Sequence, residues 1–456
     1  MIQIGESQKP ILGFCLPGDL DMLAHSTSFL SRAMAFYSTE FGSYPFTEFK
    51  TVFISHPRLE SFTGATMSIL SCDLLSPTSI IDQPMYTRQV LSLSLIQQWI
   101  GINIIQRALA DTWLIHGLAI YIQSLFLRQL FGNNEYLFRL KQDIDRCVRI
   151  DQGDPWPICV PGMTDSLDIP FLNLKAPLVL HILDRHLAKA GTSHGLSRVI
   201  PRIFLSALSD ELAGNTLSTG SFFRVCRKVS GLDLQGFQDQ WVLGSGCPHF
   251  RLQTNFIRKK FVIEFSVQQY QPAFKVVEEM SENSRKAASW KRPTPFFGGS
   301  LTVRIHEADG APFEHLVDVK TPYKLFLLPF NTKYKRTRRS GHIAARFYKM
   351  QDELAATAED EDEARLQAAD RAEVFAYPPW DDEEERNRWR VAEWDEEQAT
   401  MMLGEGGGYE WIRVDPECEW LASFEFPEKP WYWISQLQGD RDVVAQLEVS
   451  KAEIAT

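Results

Sequence analysis

The alternation of apolar and polar positions along this chain changes near Phe250, from mainly helical spacing to strand spacing. Between residues 19 and 42 apolar side chains recur at Met22, Leu23, Phe29, Leu30, Met34 and Phe36. With Asp19 or Asp21 as a start and Gly42 as a stop, that run predicts one helix. Tyr44-Pro45 then breaks the chain before a short strand at Thr51-Val52-Phe53-Ile54. Segments 91–105 and 113–127 are strongly apolar, but they are short and carry Gln97, Gln98, His116 and Gln123. They read as a buried helix pair across 93–132 rather than as membrane spans. Asn133-Asn134 reads as a turn and 135–149 as an amphipathic helix. Residues 151–170, rich in Pro, Gly and Asp, read as a loop, and helices follow at 171–190, 196–212 and 220–240.

Beyond Phe250 the pattern has period two, as in Phe261-Val262-Ile263-Glu264-Phe265-Ser266-Val267. It predicts strands within 250–270 and at 300–307, 314–319, 323–330 and 418–426, which together make a small β-sandwich. The fold class expected is therefore α+β and multidomain. A mainly helical domain (1–249) precedes a sandwich (250–430), and a further helical region begins within 431–456, with Trp431 to Ala445 as its first helix.

Charge refines this division. The formal net charge is −11, but residues 351–410 hold 20 acidic and 5 basic residues, a net of −15, which leaves +4 for the rest. Like-charge runs such as Glu359 to Glu363 and Asp381 to Glu385 repel in any compact form, so 343–412 reads as an acidic insert within the sandwich. Its Trp380, Trp389 and Trp394 are candidates for a partner-docking patch. The opposite sign is concentrated at Arg258, Lys259 and Lys260, and at Lys333, Lys335, Arg336, Arg338 and Arg339, around Tyr334. Both runs suit phosphate contacts, although a solvated loop or a nuclear-import signal has the same composition.

Seven scattered Cys without a CxxC pair point to reduced, structural thiols, and the ten His contain no i,i+4 pair. Met1 to Pro10 is polar and mixed, unlike a charged-then-apolar leader.

The most specific words lie in the helix pair. Leu93-Ser94-Leu95-Ile96-Gln97-Gln98-Trp99-Ile100-Gly101 and Trp113-Leu114-Ile115-His116-Gly117-Leu118-Ala119 resemble the two zinc-site helices of gluzincin aminopeptidases, H-E-x-x-H-Q-W-F-G and W-L-N-E-G-F-A. In that resemblance Leu93 and Gln97 stand for the two His ligands, Ser94 for the general base and His116 for the third ligand. Leu93 has no lone pair, Gln97 offers a weak neutral amide, and a Ser hydroxyl is too weak a base to activate a metal-bound water. One imidazole makes no zinc site, so no cofactor is expected.

Phe41-Gly42-Ser43-Tyr44-Pro45-Phe46 is similar to the Phe-Gly-x-x-Tyr-Pro step of those enzymes. Gly64-Ala65-Thr66-Met67-Ser68 is similar to G-A-M-E-N without its amine-gripping Glu. Asn173-Leu174-Lys175-Ala176 matches Tyr-x-Lys-Gly, with Asn173 at the oxyanion-stabilising Tyr.

With Asn255-Phe256-Ile257-Arg258-Lys259-Lys260, the Lys333 to Arg339 run and the tail from Trp433 to Gln446, the chain resembles the TBP-associated factor two family of TFIID subunits, catalytically dead relatives of the gluzincins. That resemblance implies a non-enzymatic nuclear scaffold. Its partners would be TBP, other TBP-associated factors and promoter DNA near the initiator, with no membrane and no small-molecule substrate. It also implies a piece of a longer subunit, lacking the family's N-terminal β-saddle and C-terminal helical repeat. Two other readings remain: a working zinc aminopeptidase with an unusual ligand set, and an inactive homologue that binds peptide ends.

Overall fold

The structure, a computed structural model, describes all residues except 6–8, 154–155, 163–167, 190–194, 258, 273–292, 308–311, 331–408 and 456. The chain opens on a five-stranded sheet of order β1-β2-β3-β5-β4, formed by β1 Ile2–Gln3, β2 Ile11–Phe14, β3 Phe49–Ile54, β4 Ser61–Gly64 and β5 Met67–Ser71. Helices α1 Leu20–Thr27 and α2 Leu30–Phe41 intervene between β2 and β3. The body then continues through α3 Gln83–Ile96, β6 Ile105–Gln106, α4 Thr112–Phe131, α5 Asn133–Gly153, α6 Ile169–Lys189, α7 Leu196–Leu208, β7 Thr216–Leu217, α8 Thr219–Ser230 and the short α9 Gln235–Phe237.

Helix α4 is long and apolar enough to cross a membrane, and here it lies within the helical core. Trp113, Leu114 and Ile122 are wholly buried on it. Gly117 allows α6 to approach, because a Cβ there would meet the Ala176 Cβ at 2.9 Å.

The sandwich follows, with β8 His249–Ile257, β9 Val262–Tyr270, β10 Gly299–Glu307, β11 Pro312–Val319, β12 Tyr323–Pro329, β13 Tyr409–Val414 and β14 Ser423–Glu425. One sheet has the order β11-β10-β13 and the other β12-β9-β8-β14. Alternate positions such as Leu301, Val303 and Ile305 on β10 and Ile263, Phe265 and Val267 on β9 are buried between them. Trp241, at the end of the helical body, packs on Phe297 at 4.4 Å and on Trp420 at 6.2 Å, which joins body to sandwich. Helices α10 Pro430–Gly439 and α11 Val443–Ala455 then fold back, α10 onto β13 and α11 onto α5.

Several expected boundaries differ, each for a local reason. The helix expected across 19–42 is interrupted at Ser28-Phe29, which keep helical φ and ψ, beside the bonds from the Thr27 and Ser28 hydroxyls to the carbonyls of Leu23 and His25. Asn133-Asn134 opens α5 instead of forming a turn, and Gly132 (φ +95°) makes the break. That helix also runs into the stretch expected as a loop from 151. The 220–240 helix ends at Ser230, where Gly231 is left-handed (φ +72°). Residues 418–422 are not strand: the Asp415 carboxylate accepts from Glu419 N (2.7 Å) and Trp420 N (3.0 Å) and folds them into a turn before β14. Strand β13 begins at Tyr409, inside the range read as acidic insert, and pairs with β10. The helix expected from Trp431 to Ala445 is interrupted where the Asp440 carboxylate accepts from Asp442 N.

Candidate functional site

The C-terminal end of α3, the middle of α4, Asn173 of α6 and the edge strand β4 enclose a cavity of about 290 Å³. Leu93 and Gln97 line it from α3, His116 from α4, and Ser61, Phe62 and Thr63 from β4. Three of the four positions singled out in the sequence therefore share one wall. Ser94 does not: it is 2 % exposed, and its hydroxyl donates to Val90 O at 3.0 Å within its own helix.

His116 meets the residue aligned with the oxyanion Tyr. Its Nδ1 lies 2.8 Å from Asn173 Oδ1. Leu93 has no donor atom, and among the described residues no group of three His, Cys, Asp or Glu is placed to hold a metal. The zinc that a gluzincin fold implies does not fit the donor set present. The lining also contains no carboxylate and no Lys or Arg, so the cavity is neutral apart from the imidazole.

The words around the cleft assemble as a frame. Trp99 Nε1 donates to Gly42 O at 3.0 Å, and its ring lies edge-on to Tyr44 at 5.0 Å. The Phe41 to Phe46 step and the α3 motif are thus in direct contact. Trp113 Nε1 donates to Thr219 Oγ1 at 3.0 Å, and that hydroxyl in turn donates to Asp111.

Gln98, fully buried, clamps the β4–β5 hairpin: its Oε1 accepts from Thr66 N (2.8 Å) and its Nε2 donates to Gly64 O (2.9 Å). Thr66, at φ +63°, sits where G-A-M-E-N has its Met. The substrate edge of the resemblance is thus held in place by an amide, while its amine-binding carboxylate is absent. Gln98 is the Gln of the H-Q-W frame, and its two hairpin partners lie more than 30 residues away in the chain.

Behind the cleft, Lys175 of the Asn173 motif is wholly buried against Asp151, with Nζ to Oδ2 at 2.6 Å. Burial works against the charged ammonium, yet Asp151 together with Cys247 and Cys147 outweighs it and holds the Lys175 pKa above its ordinary value. Asp151 also accepts from Trp156 N at 3.3 Å. This ion pair was invisible in the sequence, where Asp151 fell in a predicted loop.

The basic residues divide. Lys259 and Lys260 are exposed on the β8–β9 turn, whereas Arg258, Lys333, Lys335, Arg336, Arg338 and Arg339 lie outside the described residues, as do Trp380, Trp389 and Trp394. Phe330 N donates to Phe261 O at 3.0 Å, so the chain leaves β12 beside the Lys259-Lys260 turn.

The model of the TAF2 Ig-like domain matches residues 245–429. The chain is 36 % identical to transcription initiation factor TFIID subunit 2 of Schizosaccharomyces pombe, over 98 % of this chain and 38 % of that protein. It is 34 % identical to the Saccharomyces cerevisiae protein of the same name, over 98 % of this chain and 32 % of that one. The chain thus spans between a third and two fifths of the length of these relatives. Among solved structures, Legionella pneumophila aminopeptidase A in complex with aspartic acid superposes with a TM-score of 0.60 at 11 % identity, covering 97 % of this chain and 40 % of that one. At that identity the likeness concerns the fold alone.

Proposed function

We propose that this chain, a homologue of transcription initiation factor TFIID subunit 2 along nearly its whole length, is a non-enzymatic scaffold of TFIID in the nucleus. It would work in RNA polymerase II pre-initiation complex assembly, bound to TBP and other TBP-associated factors, with a share in core promoter recognition. The observation that carries the non-enzymatic half is the cleft. Its frame of Trp99, Trp113 and Gln98 is built and packed, while the reacting positions hold Leu93, Ser94, Gln97 and a His116 tied to Asn173. A gluzincin needs a metal-activated water and a base to deprotonate it, and these side chains supply neither.

In this reading residues 1–249 form the pseudo-catalytic body and 250–430 the sandwich, with the acidic stretch from 343 inserted in it. Residues 431–456 form a helical region after it, packed back on β13 and α5. The exposed Lys259-Lys260 turn is the candidate for phosphate contact, together with Arg258 and the run from Lys333 to Arg339 that follows β12.

Quantitative mass spectrometry of this protein, purified from nuclei after nuclease treatment, tests the proposal. Other TFIID subunits should accompany it at a fixed ratio. Recovery without any of them, or hydrolysis of an aminoacyl-anilide that a chelator abolishes, overturns it.

A further inference from the structure

Strand β12 ends the larger sheet of the sandwich. It pairs with β9 from Tyr323 to Pro329, and among the described residues no strand pairs with its other side. Its outward positions are Tyr323, Leu325 and Leu327, which are 61, 48 and 59 % exposed, whereas Leu328 on the inward face is 5 % exposed. On β9 the partners of those three residues are Gln268, Ser266 and Glu264, the polar complement expected on the wet face of an antiparallel sheet. The apolar stripe is therefore confined to the edge strand.

An open edge of this kind is a template for another chain, and sheet proteins ordinarily blunt it with charge, proline or a bulge. Here the strand itself carries one charge, Lys324, and its proline comes last, at Pro329. Lys324 adjoins Tyr323 at one end of the strand, on the opposite face from the stripe with its ammonium 4.7 Å from the Phe326 ring centroid, and Lys259 and Lys260 lie beside the other end, through the Phe330 N to Phe261 O bond. All three lysines are exposed, and none forms an ion pair among the described residues.

We propose that β12 is a docking edge that takes an extended, acidic-flanked strand of a partner polypeptide into the sheet. The free backbone groups of the edge would supply the ladder hydrogen bonds, and Tyr323, Leu325 and Leu327 would set the register against alternate apolar side chains of the incoming strand. The lysines at both ends would pair with its acidic flanks. A second copy of this chain is the poorer occupant. Two β12 edges in antiparallel array would set the Lys259-Lys260 end of each against the Lys324 end of the other, like charge on like. Nucleic acid would use the lysines and leave the apolar stripe in water.

The inference does not depend on the TFIID reading. It shares Lys259 and Lys260 with the phosphate-contact proposal, but not the stripe. The probe is a labelled synthetic peptide of alternating Val and Thr with two Glu at each end, titrated against the full chain by fluorescence anisotropy. Binding should be saturable and lost when a Pro replaces the central residue, which removes a ladder donor. Leu325→Asp with Leu327→Asp should weaken it by at least about tenfold and leave the melting temperature in place, since both side chains are exposed. Lys260→Glu with Lys324→Glu should turn preference toward a Lys-flanked version of the same peptide.

A flat titration with the wild-type chain overturns the proposal. So does a dimer in sedimentation that the double Asp variant dissolves, which would make a second copy the occupant. Loss of duplex DNA binding in the double Asp variant would also overturn it, by placing nucleic acid on the stripe. DNA binding that survives in the double Asp variant while peptide binding is lost is the expected result.

Discussion

The cleft and the seam between helical body and sandwich treat polar groups in opposite ways. At the cleft, Gln97, His116 and Asn173 stand half-buried around a neutral cavity, and one hydrogen bond, His116 to Asn173, ties two of them. Around the seam, charged groups meet opposite charges across elements. Arg413, with its side chain 1 % exposed, meets Asp442 at 2.8 Å and Asp440 at 3.5 Å, which ties β13 to the start of α11. Lys141 on α5 meets Glu448 on α11 at 3.6 Å. Lys189 at the end of α6 bonds both Thr302 of β10 and Glu419. Taking a charge out of water costs several kcal/mol unless it is paired, so such groups persist where their partners fix one arrangement of elements. The cleft lining is left with a single imidazole, whereas charged groups that meet across elements lie where α5, α6, β10, β13 and α11 join.

The largest effects should come from breaking what is buried behind and beside the cleft. Lys175→Ala leaves the buried Asp151 carboxyl without its counter-ion, with Trp156 N and the Cys247 thiol as its donors, and should cost about 3–5 kcal/mol. Trp99→Ala and Trp113→Ala remove rings 2 and 0 % exposed, and each should cost about 3–5 kcal/mol. Chemical denaturation followed by fluorescence measures all three. A Lys175→Ala variant as stable as the wild type would mean that the ion pair contributes nothing to the comparison.

A second, pH-dependent effect should appear at the seam. Burial, aided by the Glu419 charge, pushes the Asp415 carboxyl up to about 7, although Glu419 N and Trp420 N both donate to it. The folded state therefore binds the proton more tightly than the unfolded chain does, and this group's contribution to stability falls as pH rises from about 4 to 7. Glu428, raised by burial to about 7, acts in the same direction. His181, lowered by burial to about 4, acts in the other: its contribution is lost as pH falls below 6.5. The wild type should thus lose stability relative to Asp415→Asn as pH rises from 5 to 8, by on the order of 1 kcal/mol or more per unit of pKa shift. Parallel stability curves for the two proteins across that range would remove Asp415 from the account.

The cleft frame was legible in the sequence because its words are large aromatic and glycine residues whose roles are local. Trp99 and Trp113 need a buried slot with a hydrogen-bond acceptor, and Gly117 needs a neighbouring helix too close for a side chain. The sandwich was legible from alternation alone. Other features depend on partners far apart in the chain. Lys175 and Asp151 are 24 residues apart, and a lone Lys in an apolar helix gives no sign of its counter-ion. The break after Thr27 lies beside hydroxyls bonding to carbonyls of their own helix, which composition does not reveal. Strand β13 was absorbed into the acidic insert because it follows directly on a Gly- and Glu-rich stretch, while Trp420 and Leu421, read as strand, are a core plug held in a turn by Asp415.

The smallest effect should be at the residue that an enzyme could least spare. His116→Ala should cost no more than about 1 kcal/mol. Its one hydrogen bond is to Asn173, which is itself half-buried against the cavity, so water can replace the imidazole at the amide oxygen. The ring is also only partly buried, and its removal enlarges a space that already exists instead of opening a void in the core. The expected ranking is therefore Trp113 and Lys175 far above His116. Measured by denaturation side by side, a His116→Ala loss equal to the Trp113→Ala loss would show that the cleft bears load. In that case the contrast between a spent cleft and a built seam would fail at the position where a gluzincin places its third ligand.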